Sequence, residues 1–173
     1  EKAERLEDLI NEFFEITRFN LSNITLAYSR VNLTRMLEQL TYEFKPMLLD
    51  KNLECVLEVA PDISVKYDVD KIQRVFDNLL RNAVNYSFDN GTVHIAVIQN
   101  EENIIIKFTN QGNNIPKEKL ERIFEQFYRL DTARSSKSGG AGLGLAIAKE
   151  IVELHGGTIT AKSENEEIEF EVT

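Results

Sequence analysis

The sequence predicts an α+β fold, a two-layer sandwich with helices packed on one face of a mixed, mostly antiparallel sheet. Three observations carry that prediction. Six short β-rich runs occur, at 53–59, 64–68, 92–98, 103–109, 157–162 and 167–172. They fall in hairpin-like pairs and do not alternate strictly with helices. The helical stretches between them are amphipathic, so each has one face to bury.

In order along the chain, residues 3–20 place Leu6, Leu9, Ile10, Phe13, Ile16 and Asn20 near heptad spacing, which reads as a helix seeking a partner. Residues 21–32 are polar and without helical period, so they read as a linker. From Leu33 a second amphipathic helix is expected to about Asp50. The runs LECVLEV and SVKYD read as strands. Asp70 then opens a strong helix, DKIQRVFDNLLRNAVNYS, followed by the strands TVHIAVI and NIIIKFT across a turn rich in Asn and Glu. A short helix is expected at 117–124, and a mobile loop of Ser, Gly and charge at 131–142. A helix from Leu145 to His155 and the strands GTITAK and EIEFEV complete the chain. There are no internal repeats.

Composition narrows the function. The 173 residues are 42% hydrophobic and 28% charged, ordinary values for one globular domain with a sizeable core. The formal net charge of −9 opposes phosphate backbones and anionic lipids, which argues against nucleic acid or direct membrane contact. Any anionic ligand must then be held by local features. The single cysteine, Cys55, sits in an apolar run and reads as core filler rather than a nucleophile. No apolar run of ~18 residues is present. The chain starts within one expected element and stops within another, and so reads as a piece of a longer protein.

The chemistry concentrates in four stretches. Gly139, Gly140, Gly142 and Gly144 open the last helix. Glycines let backbone approach a ligand closely, and a helix N-terminus has unpaired N–H groups and positive dipole character, so this is a candidate phosphate cradle. It is not a P-loop, because Gly144 is followed by Leu-Ala, and it lacks the preceding strand of a dinucleotide fold. A flexible turn before a core helix remains the plainer reading. On the helix at 70–87, Ile72, Val75, Phe76, Leu79, Leu80, Ala83 and Val84 form the core face, while Asn78, Asn82 and Asn85 form a separate stripe. Asn is a poor mid-helix residue, and its carbonyl is a hard neutral ligand suited to Mg²⁺ shared with phosphates. A merely solvated polar face is the alternative. The third stretch, NQGNNIP, puts Asn110, Gly112 and Ile115 after a strand, where a polar side chain could meet a base above an apolar one. In the fourth, RIFEQFYRLD, Phe124, Phe127 and Tyr128 are expected to anchor the loop to the core. Arg129, with Arg134 and Lys137 beyond it, offers cations to a phosphate tail.

Together NLLRNAVNYS, NQGNNIP, IFEQFYR and GGAGLGLAIAKEIVELHGG resemble the N, G1, F and G2 boxes of the ATP-binding domain of bacterial sensor histidine kinases, in order and at family spacing. The resemblance covers roughly 33–173. Its finer wording, RLDTARSS included, is most similar to the sensor kinases of inducible vancomycin resistance. It implies the Bergerat ATP-binding fold at 33–173, the end of a dimerisation and phosphoacceptor helix at 1–20, and a linker at 21–32. It implies ATP held between the sheet and a lid at about 131–142, with Asn82 as the Mg²⁺ ligand and Asn78, Asn82 and Arg129 as catalytic residues. Asn85, Tyr86, Asn110, Gly112, Ile115, Tyr128, Arg134, Lys137, Gly140, Gly142, Leu143 and Gly144 would complete the nucleotide site, Asn110 facing the adenine amino group. The implied partners are a phosphoacceptor His bundle and a response regulator. The implied setting is a cytoplasmic domain of a protein in the bacterial cell membrane.

Departures from that pattern are specific. Asn110 stands where Asp is usual, Asn113-Asn114 where Pro-Gly is usual, Asn85 where a phosphate-binding Lys or Arg is common, and Ile168 where a Thr is expected near adenine. They bear on affinity and base selectivity and motivate an alternative, a nucleotide-sensing or docking module without kinase activity. Related ATPases carry a Glu as base where Asn78 stands, and an amide takes no proton. The resemblance therefore favours γ-phosphoryl transfer to histidine over hydrolysis. His94 and His155 are the chain's two histidines, and neither precedes an acidic residue. The acceptor is expected upstream of residue 1.

Overall fold

The computed structural model describes residues 10, 25–130 and 142–173. The expected helix at 3–20 lies outside the described residues apart from residue 10. The elements are β1 (Tyr28–Asn32), α1 (Leu33–Glu43), α2 (Lys45–Asp50), β2 (Glu54–Glu58), β3 (Ser64–Asp68), α3 (Val69–Tyr86), β4 (Thr92–Gln99) and β5 (Ile104–Gln111). Two 3₁₀ turns follow (Lys117–Lys119 and Arg122–Phe124), then α4 (Gly144–Leu154), β6 (Ile159–Glu164) and β7 (Glu167–Val172).

The main sheet has the order β2-β4-β5-β7-β6. Only β2 and β4 run parallel; every other pair is antiparallel. The α+β sandwich read from the sequence is the observed fold. Its helices share one face of this sheet. On α3, Val75, Phe76, Leu79, Leu80 and Ala83 are at most 1% exposed, and they meet Val93, Ile95, Phe108 and Phe170 of the strands. The Phe76 and Phe108 rings lie 5.8 Å apart. Truncating a buried Phe in such a core costs about 3–5 kcal/mol. The opposite face is polar: Lys107 on β5 bridges Glu169 and Glu171 of β7 at 3.2 and 3.0 Å.

Both long helices of the N-terminal half start on side-chain caps. Asn32 Oδ1 accepts from the Arg35 N–H at 2.9 Å, and Asp68 Oδ1 accepts from the Lys71 N–H at 3.2 Å. The cap places the start of α3 at Val69 rather than Asp70.

Four expectations are corrected. The helix expected at 33–50 is two helices broken at Phe44, because Pro46 opens the second and restricts the residue before it. The residues read as a linker include β1, which pairs antiparallel with β3 in a small second sheet. Strands β2 and β3 therefore do not form a hairpin with each other. Pairing across such distances leaves no local signature. The helix expected at 117–124 is two single 3₁₀ turns separated at Leu120 and Glu121.

Candidate functional site

Between α3, the end of β5, the two 3₁₀ turns and the start of α4 lies a cavity of about 380 Å³. The polar flank of α3 forms one wall. Asn78, Asn82 and Asn85 all line it, and Tyr86 continues the same edge. Asn110, Ile115, Tyr128, Arg129, Gly142 and Gly144 also line it. Arg134, Lys137 and Gly140 lie outside the described residues.

Two expected site residues play another part. Leu143 is 1% exposed and belongs to the core beneath the cavity. Gly112 does not line the cavity; a Cβ there would collide with the Tyr86 carbonyl oxygen. Its lack of a side chain lets the end of β5 bridge to Ser87 at the end of α3. Phe127 is not the anchor the sequence suggested. It is 57% exposed with φ 62°, and its N–H donates to the Gly142 carbonyl at 3.0 Å. That bond brings residues 127 and 142 side by side. Gly142 has φ +80°, and a Cβ there would lie 2.9 Å from the Tyr128 carbonyl oxygen. Glycine is required on both counts. Phe124 does anchor, edge-on to Phe170 at 6.2 Å, and Tyr128 lies under the Arg122 guanidinium at 4.5 Å.

Asn78 joins the two helices that frame the cavity. Its Nδ2 donates to the Gly144 carbonyl at 3.0 Å. A Cβ at 144 would press against Asn78 Oδ1 at 3.3 Å, so the close approach depends on glycine. Among the described residues no side chain caps α4, and its first N–H groups are candidates to meet a ligand. At the opposite end, Asn110 is 1% exposed and its Nδ2 has no hydrogen-bond partner among the described residues. Beside it stand Ile115, Ile168 and Phe170, apolar walls fit for a flat ring. Ile115 is fixed by its N–H donating to Ser163 Oγ at 2.8 Å, and Asn114 Oδ1 accepts from the Glu166 N–H at 2.9 Å.

Sequence reasoning missed Arg81, Lys119, Leu130, Leu145 and Phe170 in the lining. Arg81 was findable: it stands three residues after Asn78 on the same helical flank. The others are brought in by tertiary packing. Among the described lining residues none is Asp, Glu or His, while Arg81, Lys119 and Arg129 are cationic. In a chain of net charge −9, this wall is locally neutral to positive. Asp77, adjacent to Asn78, is outside the lining. Burial raises its carboxyl above the ordinary range, with Arg81 pulling it back and Glu43 adding to the rise. Burial also pushes the Cys55 thiol up to about 11, so it is no nucleophile at neutral pH.

Residues 67–173 match the family described as histidine kinase-, DNA gyrase B-, and HSP90-like ATPase. The chain belongs to this family. Among curated relatives, the sensor protein VanSC of Enterococcus gallinarum is 49% identical over 172 residues, covering 99% of this chain and 47% of that protein. The sensor protein VanS of Enterococcus faecium is 51% identical over 172 residues, with 99% and 44% covered. The sensor histidine kinase WalK of Bacillus subtilis is 36% identical over 165 residues, with 94% and 27% covered. The chain thus spans less than half the length of these relatives. Among solved structures, the catalytic domain of histidine kinase ThkA aligns with a TM-score of 0.74 at 26% identity, over 84% of this chain and 93% of that one. Full-length ShkA in complex with AMPPNP has a TM-score of 0.86 at 23% identity, over 99% of this chain and 36% of that one, a likeness of fold. The fold of this ATPase family and the catalytic-domain architecture of histidine kinases are therefore those of this chain. No helix among the described residues is long and apolar enough to cross a membrane.

Proposed function

We propose that the chain binds ATP with Mg²⁺ and transfers the γ-phosphoryl group to a histidine on a helical bundle of the same protein family member, for relay to the aspartate of a response regulator. The observation that carries this reading is the cavity's makeup: among its described residues, an amide stripe, a helix N-terminus without a side-chain cap and three cations, with no carboxylate or imidazole. Such a wall binds a polyphosphate and offers no base to activate water. Asn78, the position where related hydrolases carry a base, is occupied in donating to Gly144.

The residues fit the ligands. The apolar walls at Ile115, Ile168 and Phe170 would take the base, with the unpaired Asn110 amide at its edge. Gly142, Gly144 and the first N–H groups of α4 would take the phosphates. Asn82 would hold Mg²⁺, which supplies neutralisation of phosphate charge and leaves the rest of the alignment to the protein. Arg81, Lys119 and Arg129 face the same space and oppose the charge that spreads over the phosphoryl oxygens. A neutral imidazole nitrogen of the partner attacks the γ-phosphorus; an N–P bond forms, the bond to the β,γ-bridging oxygen breaks, and ADP leaves with the electron pair. A neutral imidazole is already nucleophilic, so the cavity need not remove a proton first.

Neither histidine of this chain suits the acceptor role. His94 is on the exposed face of β4, paired across to Thr109. His155 has both ring nitrogens in hydrogen bonds. The acceptor therefore belongs to another segment, and the full protein, by likeness to its relatives, would hold this domain on the cytoplasmic side of a membrane. Mixing the chain with the separate His-bearing bundle and γ-labelled ATP tests the reading. Acid-labile, base-stable label on the bundle is expected; tight ATP binding without transfer would leave a nucleotide-sensing or docking module instead.

A further inference from the structure

The helix α4 is pinned to α3 at both of its ends, once at the middle of α3 and once at its start. Near the site the pin is the Asn78–Gly144 bond of 3.0 Å. At the far end it is His155, the residue that closes α4. Its Nδ1 lies 2.7 Å from the Ile151 carbonyl, and its Nε2 accepts from the Asp68 N–H at 3.2 Å. These partners define the neutral tautomer with the proton on Nδ1, since Ile151 offers an acceptor and Asp68 a donor. Asp68 is the cap of α3, so this contact joins the end of α4 to the beginning of α3.

The same two residues hold the chain where it enters the domain. Asp68 Oδ2 accepts from the Ala27 N–H at 2.9 Å, and the Tyr28 ring stands edge-on to the His155 imidazole at 5.6 Å. Tyr28 begins β1, whose partner β3 ends at Asp68. Ala27 and Tyr28 lie at the N-terminal edge of the described domain. Along α3 and α4, which pack side by side, the intervening contacts are apolar core. The directional bonds are at the ends. A straight helix of 11 residues is about 16 Å long and moves nearly as a rod. A displacement of Gly144 along the helix axis would be felt at His155 and, through it, at Asp68.

We propose that His155 is a positioning residue that couples occupancy of the nucleotide site to the Ala27–Tyr28 junction, through α4 and the cap of α3. The proposal rests on the nucleotide reading given above. In it, bound nucleotide fixes α4 against α3 and tightens the grip of Asp68 on Ala27. By reciprocity, whatever strains the preceding segment at Ala27 alters nucleotide affinity.

Amide hydrogen exchange of the complete chain, with and without an uncleavable ATP analogue, reads this directly. Nucleotide is expected to slow exchange at the Ala27 N–H by at least about five-fold, the low end of ordinary coupling. In His155→Ala that response is lost although the variant still binds nucleotide. In His155→Gln, whose Oε1 can take the place of Nε2 as acceptor for Asp68, it returns in part. A purely structural role would lower the melting temperature of His155→Ala but leave the nucleotide response at Ala27 intact, and that result overturns the proposal. Should His155→Ala fail to fold, the native chain still decides: nucleotide binding with unchanged exchange at Ala27 overturns it equally. Failure of the native chain to bind nucleotide would remove the nucleotide reading itself, and this proposal with it.

Discussion

Asn110 and Ile168 stand opposite each other in the antiparallel register of β5 and β7, both buried, and the Asn110 Nδ2 finds no partner there. An isoleucine cannot complete the hydrogen bonds of an amide. We expect Asn110→Asp alone to destabilise the fold by about 1–3 kcal/mol, because a carboxylate replaces an amide at a site with no compensating donor. Ile168→Thr adds a hydroxyl directly opposite. The double variant should recover about 1 kcal/mol beyond additivity. Thermal or denaturant unfolding of the four chains measures this, and strict additivity would show that the two side chains do not communicate.

The Asn78 bond to Gly144 requires a donor. Asn78→Asp turns a donor into an acceptor facing a carbonyl oxygen, and we expect a loss of about 1–3 kcal/mol in stability together with weaker nucleotide binding. Asn78→Glu, which restores the acid of related hydrolases, should not gain ATP hydrolysis, because it also loses the donor that seats residue 78 against the Gly144 carbonyl. Phosphate release assays and melting curves check both. An Asp variant that melts and binds like the native chain would contradict the pinning role.

Asn82 tests the metal. Calorimetric titration with ATP is expected to show tighter binding with Mg²⁺ than without. In Asn82→Ala that difference should collapse while metal-free binding changes little, since the amide carbonyl is the protein's own ligand in this scheme. Equal Mg²⁺ dependence in both chains would move the metal site elsewhere.

Asp77 provides a pH signature. Burial raises its folded pKa above the ordinary value of 3.8, so the native state binds the proton more tightly than the unfolded chain. Its contribution to stability is fully present below 3.8 and is lost as pH rises through the folded value. Oδ1 is buried with no hydrogen-bond partner among the described residues, so charging the carboxyl is what costs stability. Asp77→Asn should therefore gain stability relative to the native chain as pH rises, and the advantage should shrink toward acid pH. A gain independent of pH would point to packing instead of charge.

Much of the site was legible before any coordinates. The core face of α3 and the Asn stripe beside it follow from the 3.6-residue period alone. Gly142 and Gly144 follow from the glycine-rich run at the mouth of the last helix, where close backbone approach is expected. Pro46 marks a helix break that a purely periodic reading passed over. Arg81 belongs to the same helical stripe as Asn78 and could have been read with it.

What the sequence by itself determined is which segments are amphipathic, where glycine must stand and which side chains flank the core, because these depend on neighbours within a few residues. Only the tertiary structure decided that β2 pairs in parallel with β4 and β3 with β1, that Lys119 and Phe170 reach the cavity, and that His155 joins Asp68 and Tyr28. Those contacts link residues tens of positions apart. Local propensity is the same whether or not such contacts form, and the packing of α3 and α4 on the sheet selects them.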